Sequence, residues 1–84
     1  MTESVFNMYA IKDSLNGYGT ISVDSNDEVA TRNFAFAVSS GILSFAASDY
    51  SLFRIGTYNI ASGHVEACEP VFIINGIDAK QMYA

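Results

Sequence analysis

The residue types best suited to metal chemistry lie in one short stretch, LFRIGTYNIASGHVEACE, which runs over residues 52–69. His64, Glu66 and Cys68 are spaced two residues apart, and alternate residues of a strand share a face. All three side chains can bind zinc. Such a site usually needs a fourth ligand and supporting hydrogen bonds, and the chain has no other His or Cys. We therefore expect a solvated strand face there, with no metal and no cofactor.

Catalysis by a nucleophile or by paired carboxylates has little support. Nothing marks Ser62 or Cys68 as activated by a neighbouring base, and Glu66 and Glu69 lie close in sequence without a visible cleft. The stretch Gly17-Tyr18-Gly19 lacks the helix and the downstream Lys of a phosphate-binding loop. We expect no enzymatic activity. A metal-dependent enzyme at the His, Glu and Cys triplet is the remaining catalytic alternative.

The elements that position these residues predict a single domain, 1–84, of the α+β class. The chain of 84 residues is too short for two cores. Apolar alternation and turn residues predict a small, mostly antiparallel sheet of three to five strands with one main helix. The strands are expected over residues 5–12, 20–23, 52–58, 64–69 and 71–74, and a turn is expected over residues 13–19, where Asn16-Gly17 is the strongest signal. The residues after Asn75-Gly76 are expected to be loose.

One helix is predicted over about residues 26–39. Ser25, followed three residues later by Glu28, has the form of a capping box. Ala30 and Phe34 begin an apolar stripe with helical spacing, and Gly41 is suited to end the helix. The apolar stretch 42–49 has no clear period and fits either an extra helical turn or a packed loop.

Charge and aromatic content bear on the partners. Nine carboxylates outnumber four cations, for a net charge of −5, whereas phosphate backbones favour clustered Lys and Arg. Nucleic-acid binding by a lone monomer is therefore disfavoured. Six Phe and five Tyr must lie partly on the surface of so small a domain. This predicts a homo-oligomer or a partner surface, with a monomer bearing scattered surface tyrosines as the alternative.

Cysteine usage and hydropathy bear on the compartment. The single Cys excludes an internal disulfide framework and is typical of a reducing cytoplasm. The first residues lack the features of a signal peptide. No apolar run approaches the ~20 residues that span a bilayer, so no membrane association is expected.

Three segments carry a family pattern in a fixed order. They are a strand ending Tyr-x-Ile-x-Asp, a helix with an A-x-R-x-F core, and the sequence L-[FY]-x-[LI]-G-x-[FY]-[DN] followed by a Gly. Their residues here are Tyr9, Ile11, Asp13, Ala30, Arg32, Phe34, Leu52, Phe53, Ile55, Gly56, Tyr58, Asn59 and Gly63. This order resembles the small non-structural protein of gokushoviruses, tailless single-stranded DNA phages of the microvirus family. Segment 42–48 departs from it, because the family loop is charged and contains Pro.

The resemblance implies a protein made during infection, absent from the capsid and often labelled DNA-binding or DNA-replication protein. It implies no catalytic site. We expect an oligomer in the host cytoplasm that acts in viral DNA replication or in single-stranded DNA production or packaging. The alternative is a protein-interaction module that binds a phage replication protein, a procapsid or a host factor without DNA.

Direct DNA contact would combine stacking with phosphate binding. Exposed aromatic rings beside basic residues form platforms for single-stranded nucleic acid. Strand alternation places Arg54 and Tyr58 on one face, which Tyr9 joins if the first strand pairs alongside. Lys12, Arg32 and Arg54 would contact phosphates, while Tyr9 and Tyr58 would stack on bases. The competing interpretation assigns these rings to the core or to an oligomer interface.

Overall fold

The computed structural model describes residues 4–40 and 44–82. Two α-helices and a 3₁₀ helix accompany a four-stranded antiparallel sheet, and the predicted α+β class is confirmed. Along the chain the elements are β1 (Val5–Asp13), β2 (Gly17–Asp24), α1 (Asp27–Ser39), the 3₁₀ helix (Ser44–Asp49), β3 (Tyr50–Asn59), β4 (Val65–Asn75) and α2 (Gly76–Met82).

The strand order is β2-β1-β3-β4, so β1 and β3 are central and β2 and β4 are the edges. The almost continuous apolar sequence of β1 suits a central strand, and β1 pairs with β2 on one side and with β3 on the other. Its residues Tyr9 and Ala10 point to opposite faces and both are buried. The prediction of a central strand over residues 5–12 is therefore confirmed.

The core lies between the helices and one face of the sheet. Small residues dominate the helix side of this contact, which lets the helices approach the sheet closely. The buried cluster consists of Tyr9, Ala30, Phe34, Ala35, Val38, Ala47, Leu52 and Ala79. Ile11, Tyr50, Ile73 and Ile74 pack against it while remaining partly exposed.

Helix α1 begins one residue later than the capping box indicated. The Asn26 side chain, rather than that of Ser25, accepts the Val29 N–H at 2.9 Å. Asn is as effective a cap as Ser, and both residues offered an acceptor, so the sequence alone did not decide between them. At the other end, the Ser40 N–H donates to the Phe36 carbonyl at 3.1 Å. Gly41, the predicted helix end, lies outside the described residues.

The sequence of the stretch 42–49 fits either an extra helical turn or a packed loop. Residues 44–49 form the 3₁₀ helix, with a kink at Ala46. Ala47 is buried in the core cluster. Residues 42–43 lie outside the described part of the chain.

Strand β4 is one long edge strand where two short runs were predicted. It spans Val65–Asn75, and its register against β3 is irregular at two places. Pro70 lies within one of them, between the residues paired with Arg54 and Gly56. Proline has no N–H to donate, so an edge strand or a bulge is where it is tolerated. The predicted loss of regular pairing at Pro70 is confirmed, but the strand continues beyond it.

Residues 76–82 form helix α2, so the prediction of a loose end is wrong for residues 77–82, while residues 83–84 lie outside the described part of the chain. Asn75 begins the helix: its side-chain oxygen accepts the Asp78 N–H at 2.8 Å, and its amide donates to the Asp78 carboxylate at 3.2 Å. Ala79 is completely buried. A cap and one buried Ala are too short a pattern to register as helical periodicity.

Substitution of Gly76 tests how tightly helix α2 is packed against the rest of the fold. A Cβ at this position would collide with the carbonyl oxygen of Ala47 and approach that of Tyr50 to 3.2 Å. Both are backbone atoms, so Gly76→Ala should lower the free energy of unfolding by about 1–3 kcal/mol, the usual cost of overpacking. Urea unfolding followed by circular dichroism measures this. Gly19→Ala is the matched control, because its Cβ would meet nothing nearer than 3.7 Å; equal losses for the two variants would contradict the packing argument.

Candidate functional site

One charged cluster joins helix α1 to both central strands. The Tyr9 hydroxyl donates to Asp27 at 2.5 Å, and the Arg54 guanidinium donates to the other oxygen of Asp27 at 2.7 Å. The Asn7 amide donates to the Tyr9 oxygen at 3.0 Å. Arg54 is therefore held by a carboxylate on the helix side of the sheet.

The same cluster shifts three pKa values. Burial, together with the bond to Asp27, raises the pKa of Tyr9 to about 12. Burial works to raise the pKa of Asp27, but the hydrogen bonds from Tyr9 and Arg54 and the Arg54 charge outweigh it, so that pKa lies below its usual value. The bond to Asp27 raises the pKa of Arg54. The cluster thus consists of a carboxylate between a neutral phenol and a guanidinium, with no group poised to exchange protons near neutral pH.

A bulge at Ile55 changes which face of the sheet the side chains of β3 point to. Arg54 pairs with Tyr9 and Tyr58 pairs with Phe6, so four residue steps on β3 correspond to three on β1. The extra residue reverses the alternation of side chains beyond it. Tyr58 therefore lies on the face opposite the helices, while Arg54 lies on the helix side. The prediction that Arg54 and Tyr58 share a face is wrong.

The sheet face opposite the helices, called the open face below, is apolar and has no covering element among residues 4–40 and 44–82. Its members follow from the registers, because directly paired residues of antiparallel strands share a face. Its apolar side chains and its cation are Phe6, Met8, Ala10, Lys12, Tyr18, Ile21, Val23, Phe53, Tyr58, Val65 and Phe72, and the same registers also place Ser51, Gly56, Ala67 and Asn75 on this face. Several are strongly exposed, with Ile21 at 60%, Phe72 at 54% and Val65 at 53%. Continuous exposed apolar surface marks a contact region.

Three rings form a cluster on the open face. The Phe53 centroid lies 5.3 Å from that of Tyr18 and 5.6 Å from that of Phe72, with interplanar angles of 78° and 75°. This is the edge-to-face geometry that aromatic pairs favour. Phe53 is half-buried in the middle, whereas Tyr18 and Phe72 are exposed. We call these three residues the ring cluster.

Lys12 lies beside the ring cluster. Its Nζ is 5.3 Å from the Tyr18 centroid and 5.7 Å from the Phe53 centroid, close enough for a cation–π interaction. Lys12 is directly paired with Tyr18 across β1 and β2, so the hairpin fixes this arrangement. A cation and exposed rings therefore share one patch of the sheet.

The five residues predicted to contact DNA do not converge. Lys12 and Tyr58 lie on the open face, but their pairing positions on β1 are separated by about 20 Å of strand. Tyr9 is completely buried, so its ring is not part of the surface. Arg54 is bonded to Asp27 on the helix side, and Arg32 is exposed on α1.

His64, Glu66 and Cys68 follow the β3–β4 loop. His64 lies before the strand, and Glu66 and Cys68 are exposed on it. Within the described residues, no three His, Cys, Asp or Glu side chains come together as a group able to hold a metal ion.

Comparison with protein families gives one match. The family model described as "Phage ORF5 protein" matches residues 6–79, which extends from β1 into α2. The chain belongs to the phage ORF5 protein family. No curated protein matched it, and no solved structure did so.

In this member of the ORF5 family, sequence reasoning missed the ring cluster. Tyr18 was assigned to a turn, and Phe72 to a short run beyond Pro70. The Asn16-Gly17 turn held a usable signal, because a hairpin closed there brings Lys12 opposite Tyr18. The pairing of Phe53 with Phe72 depends on the irregular β4 register, for which the sequence carries no comparable signal.

One further observation concerns membranes. Among the described residues of this ORF5-family chain, no helix has the length and apolar character needed to cross a bilayer.

The Asp27 cluster predicts a pH-dependent stability for this ORF5-family protein. Because the folded pKa of Asp27 lies below the ordinary 3.8, its ionised form stabilises the fold above that pH. The contribution disappears as the pH falls through the folded pKa. Asp27→Asn should cost about 1–2 kcal/mol at pH 7, since the carboxylate is partly exposed, and the two proteins should converge in stability at the acidic end.

Urea unfolding at neutral and acidic pH measures this difference. Glu28→Gln is the matched control, because Glu28 is exposed in the same helical turn and should stay within about 0.5 kcal/mol of the unsubstituted protein. A constant gap between Asp27→Asn and the unsubstituted protein at all pH values would contradict the assignment.

Proposed function

We propose that this chain is a non-enzymatic phage accessory protein that binds single-stranded DNA on the open face of its sheet. It acts as an oligomer in viral DNA replication or in the production or packaging of single-stranded genomes. The proposal includes a gokushovirus-type microvirus as its source and the host cytoplasm as its place of action. The ring cluster with Lys12 beside it is the observation that carries the proposal.

Stacking is the main interaction in this proposal. Phe72 and Tyr18 are about half exposed, and they flank the half-buried Phe53, which holds them in place. Rings on a sheet surface bind unpaired bases, each contributing ~1–3 kcal/mol. A duplex hides the faces of its bases inside the helical stack, so this surface favours single strands over duplex.

Phosphate contact is limited to Lys12 in this proposal. It is the one cation among the open-face residues, and no salt bridge to it occurs in the described part of the chain. One neutralised phosphate per copy gives a shallow salt dependence, with a slope of about −0.7. Affinity therefore depends on stacking and on the number of copies bound to one strand, which is why the proposal includes an oligomer.

Tyr58 remains a DNA-contacting residue in this proposal, but at a separate position from the ring cluster. It lies on the open face with Phe6 and Val65 as its direct neighbours. Along β1, the partner of Tyr58 is about 13 Å from the partner of Phe53 and about 20 Å from the partner of Tyr18. Tyr58 is a second contact point for a longer strand. Arg54 and Tyr9 leave the contact set and act by holding α1 against the sheet.

Binding of a protein partner is the second candidate function. The observation that favours it is the apolar character of the open face, which fits a phage replication protein, procapsid or host factor as well as bases. The net charge of −5 favours it too, because DNA approaches against that field.

DNA binding can be measured by fluorescence anisotropy with a labelled oligothymidylate of about 15 nucleotides at low salt. We expect saturable binding, and Phe72→Ala should weaken it about tenfold or more, the equivalent of one lost stacking contact. Phe36→Ala is the matched control, because Phe36 is 70% exposed on α1 and lies off the open face. Absence of binding at low salt, or equal losses for the two variants, would refute DNA contact on this face.

The phosphate contact has its own pair of variants. Lys12→Ala should weaken binding and reduce the salt slope, whereas Lys80→Ala removes an exposed cation of α2 and should change neither.

A pull-down from infected cells tests the second candidate. Recovery of protein partners that withstands nuclease, together with no direct DNA binding, would favour the protein-interaction function.

A further inference from the structure

We propose that two copies of this chain join along β2, pairing antiparallel about a two-fold axis, and so continue the sheet across both copies. The strand that pairs with the β2 edge is therefore β2 of a second copy of the chain. The inference takes from the proposed function only the expectation of an oligomer, and it would stand if the open face bound no DNA.

The outer edge of β2 is unpaired among the described residues. β2 is the first strand in the order β2-β1-β3-β4, and every residue over 18–23 is exposed. No turn, loop or side chain of the described residues makes a hydrogen bond to its backbone beyond the β1 ladder. An edge of this kind is a template for another strand.

The two edges of the sheet differ in how they are protected. β4 carries Pro70, two register irregularities, and exposed Glu66 and Glu69, all of which discourage strand addition. β2 carries neither Pro nor Lys nor Arg. Its one irregularity, at residues 19–20, precedes the segment Ile21–Asp24, whose pairing with β1 is regular. The β2 edge is therefore the receptive one.

The sequence of this segment is complementary to itself. An antiparallel pairing centred on Ser22 places Ile21 of each copy opposite Val23 of the other. Both residues lie on the open face and are exposed at 60% and 38%, so the contact buries two apolar cross-strand pairs, which stabilise a sheet. Thr20 and Ser22 lie on the helix side with Asp24, and all three line the groove beside α1.

The same register avoids a clash of charge. Asp24 is the one charged residue of β2, and in this pairing it lies opposite Thr20 of the other copy. The two Asp24 residues are then about 14 Å apart, four residue steps along the strands. This exceeds the Debye length of ~8 Å at physiological salt, so their repulsion is weak. The joined sheet also places both ring clusters on one continuous face.

Sedimentation equilibrium on the full chain without DNA tests the contact. We expect a reversible monomer–dimer equilibrium. Ser22→Lys places like charges directly opposite each other at the two-fold axis and should weaken association about fivefold or more. Ser62→Lys adds the same charge in the exposed β3–β4 loop and should leave association unchanged.

Cross-linking provides a second measurement. In a Cys68→Ser background, Ser22→Cys should form a disulfide-linked dimer under mild oxidation, because directly opposite residues of antiparallel strands have Cα atoms ~4.5–5.5 Å apart, within the ~4.4–6.8 Å that a disulfide spans. Ser62→Cys in the same background is the control and should cross-link far more slowly.

A monomer at all accessible concentrations would overturn the inference. So would a dimer that is equally sensitive to Lys at positions 22 and 62, or equal cross-linking of the two Cys variants. Each of these outcomes is read without DNA, so a failure here is distinct from a failure of DNA binding.

Discussion

The carboxylate of Asp27 is the point on which the arrangement of helix and sheet depends. It accepts bonds from Tyr9 on β1 and Arg54 on β3, the two central strands, and it belongs to the first turn of α1. Charge-assisted bonds of this kind are directional as well as strong. Together with the apolar core between the helices and the sheet, they fix which face of the sheet α1 covers, and therefore which face is left open. The surface available for binding follows from a contact on the opposite side of the sheet.

This constraint explains why Arg54 and Tyr9, two residues predicted to contact DNA, are unavailable to a ligand. An Arg and a Tyr on central strands look like a basic, aromatic platform when the sequence is considered alone. In the fold, both satisfy one carboxylate contributed by a helix 18 and 27 residues away in sequence. Lys12 lies on the other face, where no carboxylate is bonded to it among the described residues.

The sequence predicted the features that depend on local chemistry. Apolar alternation located β1, the Asn16-Gly17 turn located the first hairpin, and the stripe containing Phe34 located α1. It failed where the outcome depends on distant partners. The bulge at Ile55 arises from pairing with β1 and carries no signal of its own, yet it decides the facing of Tyr58. Helix α2 depends on the packing of Ala79 and on the close approach permitted by Gly76, which a seven-residue pattern does not reveal.

The difference between the two edge strands bears on solubility. Open-ended growth of sheets into fibres requires two receptive edges on every molecule, one to accept a strand and one to offer one. Pro70 and the irregular register of β4 remove one of the two. A chain with half its residues hydrophobic and a broad apolar sheet is thereby protected against fibre formation at high concentration. Replacing Pro70 would remove part of that protection even though the residue is exposed and belongs neither to the core nor to the ring cluster.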